Sequence, residues 1–158
     1  MALEVTPAVT PIVNYDPKDI VITVNGETIE GFAEGTFVSV ERDEDNWTKT
    51  VGSDGTVARS RTRNIAGRVT LTLMQTSASN AVLESFIVMD DYANLGQFYV
   101  SISNSAYEGE IKIPCAWISK PPTVTYGRDL EDREWTLDCA QILYANAFSQ
   151  EAPPAPEA

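Results

Sequence analysis

The chain has 158 residues, 43% of them hydrophobic, which is enough for one domain with a substantial core. Its formal net charge of −12 argues against strong binding to nucleic acid, because affinity for phosphates comes from lysine and arginine. The absence of histidine excludes histidine-dependent catalysis and histidine-ligated metal sites. The two cysteines, Cys115 and Cys139, lie in strand-like runs and are expected to be buried, reduced thiols; the alternative is a disulfide, which requires them to lie on facing strands.

Both ends of the chain are expected to extend from the folded domain. Residues 1–15 contain two prolines and apolar side chains without a clear period, which predicts an extended arm. The alternatives for this arm are a frayed terminus and a contact with a neighbouring subunit. The composition of residues 146–158 predicts a disordered tail. The sequence shows no signal peptide or apolar membrane span, so the protein is expected to be made and kept in the cytoplasm.

The folded part begins with a predicted hairpin, followed by the first of two central strands. Residues 19–24 form a strand, and Asn25-Gly26 favours a tight turn into residues 27–31. Residues 36–42 and 68–75 alternate apolar and polar side chains, which predicts two half-buried strands. The apolar side is assigned Val38, Val40, Val69, Leu71 and Leu73, and the polar side Phe37, Ser39, Glu41, Arg68, Thr70 and Thr72.

Residues 43–66, between these strands, predict a long β-hairpin arm. They begin with three acidic residues, turn at Ser53-Asp54-Gly55, and then place arginines at alternate positions. The alternation continues on both sides of the turn, which favours paired strands over an irregular loop. Long excursions in compact domains are usually functional or disordered. An arm of this kind is expected to reach a partner molecule.

One helix is predicted, at residues 79–92, with Ser79 as its N-cap. Its apolar face is expected to cover the apolar sides of the two central strands and consists of Val82, Leu83, Phe86 and Ile87.

Four further strands are predicted in the remainder of the chain. They span residues 97–103, 110–119, 123–126 and 133–142. Pro114 places the second of these at a sheet edge or at a β-bulge, because proline cannot donate to a strand ladder. In the last strand Trp135, Leu137 and Cys139 form one face, and Glu134, Thr136 and Asp138 form the other.

Four segments together resemble the tail tube proteins of contractile-tailed bacteriophages. They are GFAEGTFVSVERDED, SDGTVARSRT, VTLTLMQTSASN and AWISKPPTVTYGRDLEDREWTLDC, in the same order, and the likeness spans residues 16–140. The resemblance implies a mainly β protein, a small antiparallel β-barrel or sandwich with one helix and a long hairpin arm, over residues 16–145. It also implies protomers that close into hexameric rings, and rings that stack into a hollow tube inside a contractile sheath.

The function implied by this resemblance is structural, without catalysis, cofactor or metal. The protein would form the inner tail tube of the virion, a negatively charged channel through which viral DNA passes without specific binding. Its partners would be further copies of itself, the tail sheath protein, and the baseplate or tail initiator and terminator proteins, with assembly in the host cytoplasm and no membrane contact. The alternatives are the tube of a bacteriocin or secretion-type injection machine, and a monomeric β-sandwich binding module.

Two sets of residues are assigned to these roles. The resemblance implies that the polar strand faces line the lumen, with Ser39, Glu41, Thr70, Thr72, Glu134, Thr136 and Asp138. The subunit interface or stacking arm is assigned Asp43, Glu44, Asp45, Trp47, Arg59, Arg61 and Arg63.

Three other interpretations of these residues remain open from the sequence. The acidic run could ligate calcium, although the spacing of an EF-hand is absent. The arginines could form a solvated strand face or meet carboxylates on a neighbouring copy. Glu134 and Asp138 could form a catalytic carboxylate pair, but no apolar cleft is evident around them.

Overall fold

The computed structural model describes residues 12–148. The expectations for residues 1–11 and 149–158 lie outside this part. A short 3₁₀ turn at Pro17–Asp19 precedes the regular elements. These are β1 (Ile20–Val24), β2 (Glu27–Thr28), β3 (Val38–Arg42), β4 (Trp47–Val51), β5 (Val57–Arg61), β6 (Gly67–Met74), α1 (Ser79–Ala93), β7 (Phe98–Asn104), β8 (Gly109–Lys120), β9 (Asp132–Cys139) and β10 (Leu143–Ala145).

Eight of these strands form one antiparallel sheet. Its order is β2-β1-β7-β8-β9-β6-β3, and β10 pairs with β8 beside this path. The expected mainly antiparallel β fold with one helix is therefore confirmed. A closed barrel is wrong for the described residues, because the end strands β2 and β3 do not pair with each other. The sheet is strongly curved nevertheless, since Ile20 of β1 and Val40 of β3 line the same groove.

The core fills the concave side of this sheet. Strand alternation places the side chains of β6 and β9 as predicted, with every second residue buried. Phe37 is an exception to the predicted alternation, because it packs against the core with its ring 4.9 Å from that of Phe32. The fully buried residues include Ile22, Val24, Val69, Leu71, Leu73, Leu83, Val100, Ile113 and Leu137.

The helix differs from its prediction at its start and in its neighbours. Its N-cap is Ala78, which has helical backbone angles and offers no side-chain cap, so the assignment of Ser79 as the N-cap is wrong. The Ser79 hydroxyl instead accepts a hydrogen bond of 2.9 Å from the backbone N–H of Glu30. Of the strands, the helix backbone approaches β8 most closely, and Phe86 stacks on Phe98 of β7 with centroids 4.6 Å apart. The helix thus covers β7 and β8, in the middle of the sheet, more than β3 and β6, the two strands that the sequence predicts it to cover.

Pro114 lies in an interior strand, at a β-bulge. On β7, Phe98 pairs with Ala116 and Val100 with Ile113, so two residues of β8 oppose one of β7 at this point. The extra residue of a bulge does not have to donate to the ladder, so proline, which has no N–H, is tolerated here. The bulge alternative is therefore correct, and the edge alternative is wrong because β8 pairs on both sides.

The chain between β8 and β10 was predicted least well. Residues 123–126 form no strand, since they follow Pro121-Pro122 in an irregular segment that extends to residue 131. The last predicted strand ends early, at Cys139, and β10 turns back to pair with β8. Sequence alternation alone did not indicate this change of partner.

Both cysteines are reduced, and they differ in burial. Cys139 is buried and Cys115 is half-buried. Burial, with smaller contributions from the carboxylates of Asp138 and Asp43, raises the pKa of the Cys139 thiol to about 12 from an ordinary value of 9.0.

We therefore expect Cys139 to resist a thiol reagent at pH 8 until the protein unfolds, because the thiolate is the nucleophile. Counting reactive thiols with and without denaturant checks this. The raised pKa also lowers stability as pH increases from about 9 towards about 12, because only the unfolded thiol ionises there. Equal reaction of both thiols in the native protein would contradict the assignment.

Candidate assembly surfaces

The first candidate surface is a hairpin arm formed by β4 and β5. The two strands pair only with each other, as a separate two-stranded sheet. Every residue of both strands is exposed. At the apex, the N–H of Gly52 bonds the carbonyl of Thr56 at 2.7 Å, and Gly55 has a φ of +89° that suits glycine.

The apex is reinforced by Asp54. Its carboxylate accepts a hydrogen bond of 3.0 Å from the N–H of Thr56, and this bond holds the pKa of Asp54 below its ordinary value of 3.8. An aspartate bonded two residues onward is the usual device of an Asx turn. The sequence Ser53-Asp54-Gly55 therefore closes the arm as the turn chemistry predicts.

One face of the arm is cationic and apolar. Trp47 pairs with Arg61, Lys49 with Arg59, and Val51 with Val57, which places all six side chains on the same side. The guanidinium carbon of Arg59 lies 3.8 Å from the centre of the Trp47 ring, within cation–π distance. Lys49 is not among the residues predicted for this surface, although pairing across the Asp54-Gly55 apex indicates that it faces Arg59.

No described carboxylate lies within 4.0 Å of the basic groups of Lys49, Arg59, Arg61 or Arg63, since the ion pairs found are Arg68 with Asp138 and Lys112 with Glu110. Arg63 follows β5 and is exposed, outside the paired part of the arm. In a chain of net charge −12, a concentrated positive surface is therefore left without a counterion from the described residues.

The root of the arm is anchored by Arg42. Its guanidinium donates to the carbonyl of Ile142 at 2.7 Å and to the side chain of Asn46 at 3.0 Å, and lies 5.1 Å from the ring of Tyr144. Asp43, Glu44 and Asp45 follow it directly and are all exposed. The root is thus fixed to the domain while its acidic side chains face solvent.

The second candidate surface is the polar face of β3, β6 and β9. The register aligns Ser39 with Thr70 and Thr136, Glu41 with Arg68 and Asp138, and Thr72 with Glu134. All seven residues predicted to face a lumen therefore share one side of the sheet, opposite the core.

Charge on this polar face is net negative. Arg68 donates to Asp138 at 3.2 Å, while Glu41 and Glu134 have no ion-pair partner among residues 12–148. Asp138 is engaged by an arginine on an open sheet face, which does not fit a catalytic carboxylate pair. In the described chain no group of three or more His, Cys, Asp or Glu residues is arranged to hold a metal.

The third candidate surface is the free edge of β3 and the groove beside it. Among residues 12–148, β3 pairs with β6 on one side and with no strand on the other. The groove has a volume of about 490 Å³ and is lined by apolar side chains that include Ile20, Val38, Val40, Ile102 and Ile111. Exposed backbone donors and acceptors next to an apolar groove are suited to pairing with another strand.

The described residues contain no helix that is both long enough and apolar enough to span a lipid bilayer.

A protein family and a curated protein that match this chain both come from bacteriophages. The family described as the bacteriophage PhiTE tail tube protein matches residues 21–145. Structural protein ORF10 of Pseudomonas phage KPP10 is 30% identical over 149 residues, which cover 89% of this chain and 86% of that protein.

Solved structures share the fold. The tube-terminating cap of the anti-feeding prophage superposes with a TM-score of 0.60 at 14% identity, over 92% of this chain and 99% of the cap chain. A chain of the sheath-tube complex of the extracellular contractile injection system PVC gives a TM-score of 0.59 at 14% identity, over 87% and 93% of the two chains.

Proposed function

Since the chain belongs to the bacteriophage PhiTE tail tube protein family and is structural rather than enzymatic, we propose that it closes into homo-hexameric rings. These rings stack into the inner tail tube of a contractile virion, and the tube gives DNA a negatively charged channel. The single observation that carries the proposal is the hairpin arm, whose strands are exposed throughout and whose cations have no ion-pair partner among residues 12–148.

The arm supports stacking of one ring on the next. A protomer with net charge −12 offers many carboxylates to a neighbour, so the cationic face of the arm is complementary to the rest of the molecule. Trp47 adds a large apolar contact at the end of this face nearest the domain, with 42% of its surface exposed. Tryptophan and arginine are the side chains most often found at energetically dominant interface positions.

The free edge of β3 supports closure of the ring. An unpaired strand edge is a template for pairing, and a head-to-tail rotation that closes leaves no such edge exposed. A strand of the adjacent protomer would satisfy the edge of β3 and cover the apolar groove beside it.

The polar face of β3, β6 and β9 supports a channel wall. It lies opposite the core and its carboxylates exceed its guanidinium groups, so it repels phosphate instead of holding it. A wall of this kind allows DNA to pass without specific binding. Ser39, Glu41, Thr70, Thr72, Glu134, Thr136 and Asp138 would then line the lumen.

The partners proposed are the tail sheath protein outside the tube and the tail initiator and terminator proteins at its ends. The PVC chain with the same fold comes from a sheath-tube complex, and the prophage cap terminates a tube. We place the protein in the virion tail after assembly in the host cytoplasm. The 30% identity to a phage structural protein, against 14% to the injection-system chains, favours a phage tail over an injection machine.

A monomeric binding module fits the structure less well. Such a module would present an aromatic platform, but Trp135 is buried, Trp117 is half-buried and Trp47 lies under Arg59 on the arm.

A cysteine at Thr72 tests the channel wall. We expect Thr72→Cys to react with a bulky maleimide in dispersed protomers and to be shielded once tubes have formed and been pelleted. Tyr92→Cys is the control, because Tyr92 lies on α1, on the other side of the sheet, with 87% of its surface exposed. Equal labelling of Thr72→Cys in protomers and tubes would overturn the lumen assignment.

A further inference from the structure

Arg133 is a buried arginine whose charge has no partner in the described chain. It belongs to β9 and shares the inner side with Trp135 and Leu137, so only 7% of its surface is exposed. One guanidinium nitrogen, Nη2, donates to the carbonyl of Thr125 at 3.2 Å. The other, Nη1, is buried and has no hydrogen-bond acceptor. Within residues 12–148 no carboxylate lies within 4.0 Å of this guanidinium.

Such an arrangement is costly unless something outside the protomer completes it. A buried guanidinium with an unsatisfied N–H loses hydration without gaining an ion pair. Its planar fork is suited to binding a carboxylate through two parallel hydrogen bonds. The chemistry therefore specifies a carboxylate as the missing group.

The site is also accessible. Arg133 lines a cleft of about 520 Å³ between α1 and the irregular segment after β8, with Asn80, Pro122 and Tyr126 among its walls. The ring of Tyr126 lies 5.6 Å from the guanidinium carbon and is 80% exposed. A side chain of another molecule can thus enter the cleft beside the guanidinium, and it reaches Nη1, which is itself buried, once the wall of the cleft shifts.

The sheet register shows where a matching carboxylate lies on a second copy. β6 and β9 run antiparallel, with Met74 opposite Asp132 near the cleft and Gly67 opposite Cys139 at the far end. Asp43 is at that far end, where its N–H bonds the carbonyl of Ala66 at 3.1 Å. The acidic run 43–45 and the Arg133 cleft therefore occupy opposite ends of the same strands.

We propose that the Arg133 cleft receives a carboxylate of the run Asp43, Glu44 and Asp45 from the next copy of this chain in the stack. Head-to-tail association brings opposite ends of the protomer into contact, and here it joins an unpaired buried cation to exposed, unpaired anions. This inference rests on the proposed stacking of rings. It adds a second contact to the arm and fixes the polarity of the tube.

Arg133→Met tests the inference by separating folding from assembly. We expect the variant protomer to melt at the same temperature as the wild type or higher, because an uncompensated buried charge is removed. We expect the concentration needed for tube formation to rise at least about tenfold, because the contact between copies loses one partner of an ion pair. Arg128→Met is the control, because Arg128 is exposed on the irregular segment between β8 and β9.

Arg133→Lys identifies the partner directly. In assembled protein, carbodiimide should join the amine at position 133 to a carboxylate in residues 43–45, and mass spectrometry of the digest would show that peptide pair. Mixing isotope-labelled and unlabelled protomers before assembly distinguishes a link between copies from one within a copy. A link to Glu84 of the same chain, which also lines the cleft, would overturn the inference.

The remaining outcomes distinguish the inference from the proposed function. Normal tubes from Arg133→Met at the wild-type concentration would overturn the cleft contact and leave the tube function intact. Failure of the wild-type chain to assemble, with tail components supplied, would overturn both.

Discussion

Removal of the hairpin arm is expected to abolish tube formation while the protomer remains folded. The variant replaces residues 47–61 by Asn-Gly. The junction is favourable, because the N–H of Thr62 already bonds the carbonyl of Asn46 at 2.9 Å and a two-residue turn can close that pair. Within residues 12–148 the arm strands pair with no other strand and contribute no residue to the core cluster, so their loss leaves that core intact.

The size of this effect follows from the residues that are lost. Trp47 and two arginines form one contact face, and each residue of such a central cluster commonly contributes more than about 2 kcal/mol to binding. We expect no tubes at concentrations at least roughly thirty times that sufficient for the wild type. Circular dichroism checks the protomer, and pelleting with electron microscopy checks assembly.

Two double variants test which face of the arm makes the contact. Arg59→Glu with Arg61→Glu reverses the charge of the arm and should reproduce the loss of tubes. Thr48→Ala with Ser60→Ala changes the opposite face, where these two residues pair, and should have little effect if the cationic face makes the contact. Normal tubes from the arm-deleted chain would show that the arm does not stack the rings.

Leu83→Ala is expected to destabilise the protomer by about 2–5 kcal/mol, because it leaves a cavity under the helix. Leu83 is fully buried, and it belongs to the same core cluster as Phe98, against which Phe86 packs. Chemical denaturation of dispersed protomers measures the change. A marginally stable domain could lose much of its free energy of unfolding in this way.

Val88→Ala is the matched control, on the same helix with 47% of its side chain exposed, and should cost about 0.5 kcal/mol or less. A loss of similar size in both variants would contradict the packing described for α1. The two classes of variant should also behave oppositely: Leu83→Ala lowers stability, whereas removal of the arm lowers assembly alone.

The sequence was most informative where a local pattern and the core agreed. In β6 and β9 strict alternation placed Val69, Leu71 and Leu137 inside, and the structure buries them fully. Asn25-Gly26 and Asp54-Gly55 predicted tight turns, and three of these residues have the positive φ that such turns require, Asn25 at +53°, Gly26 at +88° and Gly55 at +89°. Turn chemistry is local, so a single sequence carries it.

The sequence predictions were wrong where residues far apart in the chain determine the local structure. Ser79 has the chemistry of an N-cap, but its hydroxyl is used by Glu30, 49 positions away. Pro114 indicated a break in a ladder without showing whether this was an edge or a bulge. Residues 123–126 alternate as a strand would, yet after Pro121-Pro122 they are irregular and pair with no strand of the described chain. Pairing across long separations has no local signature.

The candidate surfaces were only partly predictable for the same reason. The arm was evident from the alternation of Arg59, Arg61 and Arg63, but its register was needed to add Lys49. The sequence places Arg133 in a predicted strand, but neither face of that strand was assigned to it, although it lies two positions before Trp135 and therefore on the same face. The signal that indicates a buried Arg133 is a charged residue at a position where the strand alternation predicts an apolar side chain.

Negative-stain electron microscopy of the purified chain, at increasing concentration, tests directly whether the protein forms a tube. We expect rings with six-fold symmetry that stack into hollow tubes, and the loss of those tubes when residues 47–61 are replaced. Monomers that persist at every concentration, with and without purified tail tips as initiators, would contradict it.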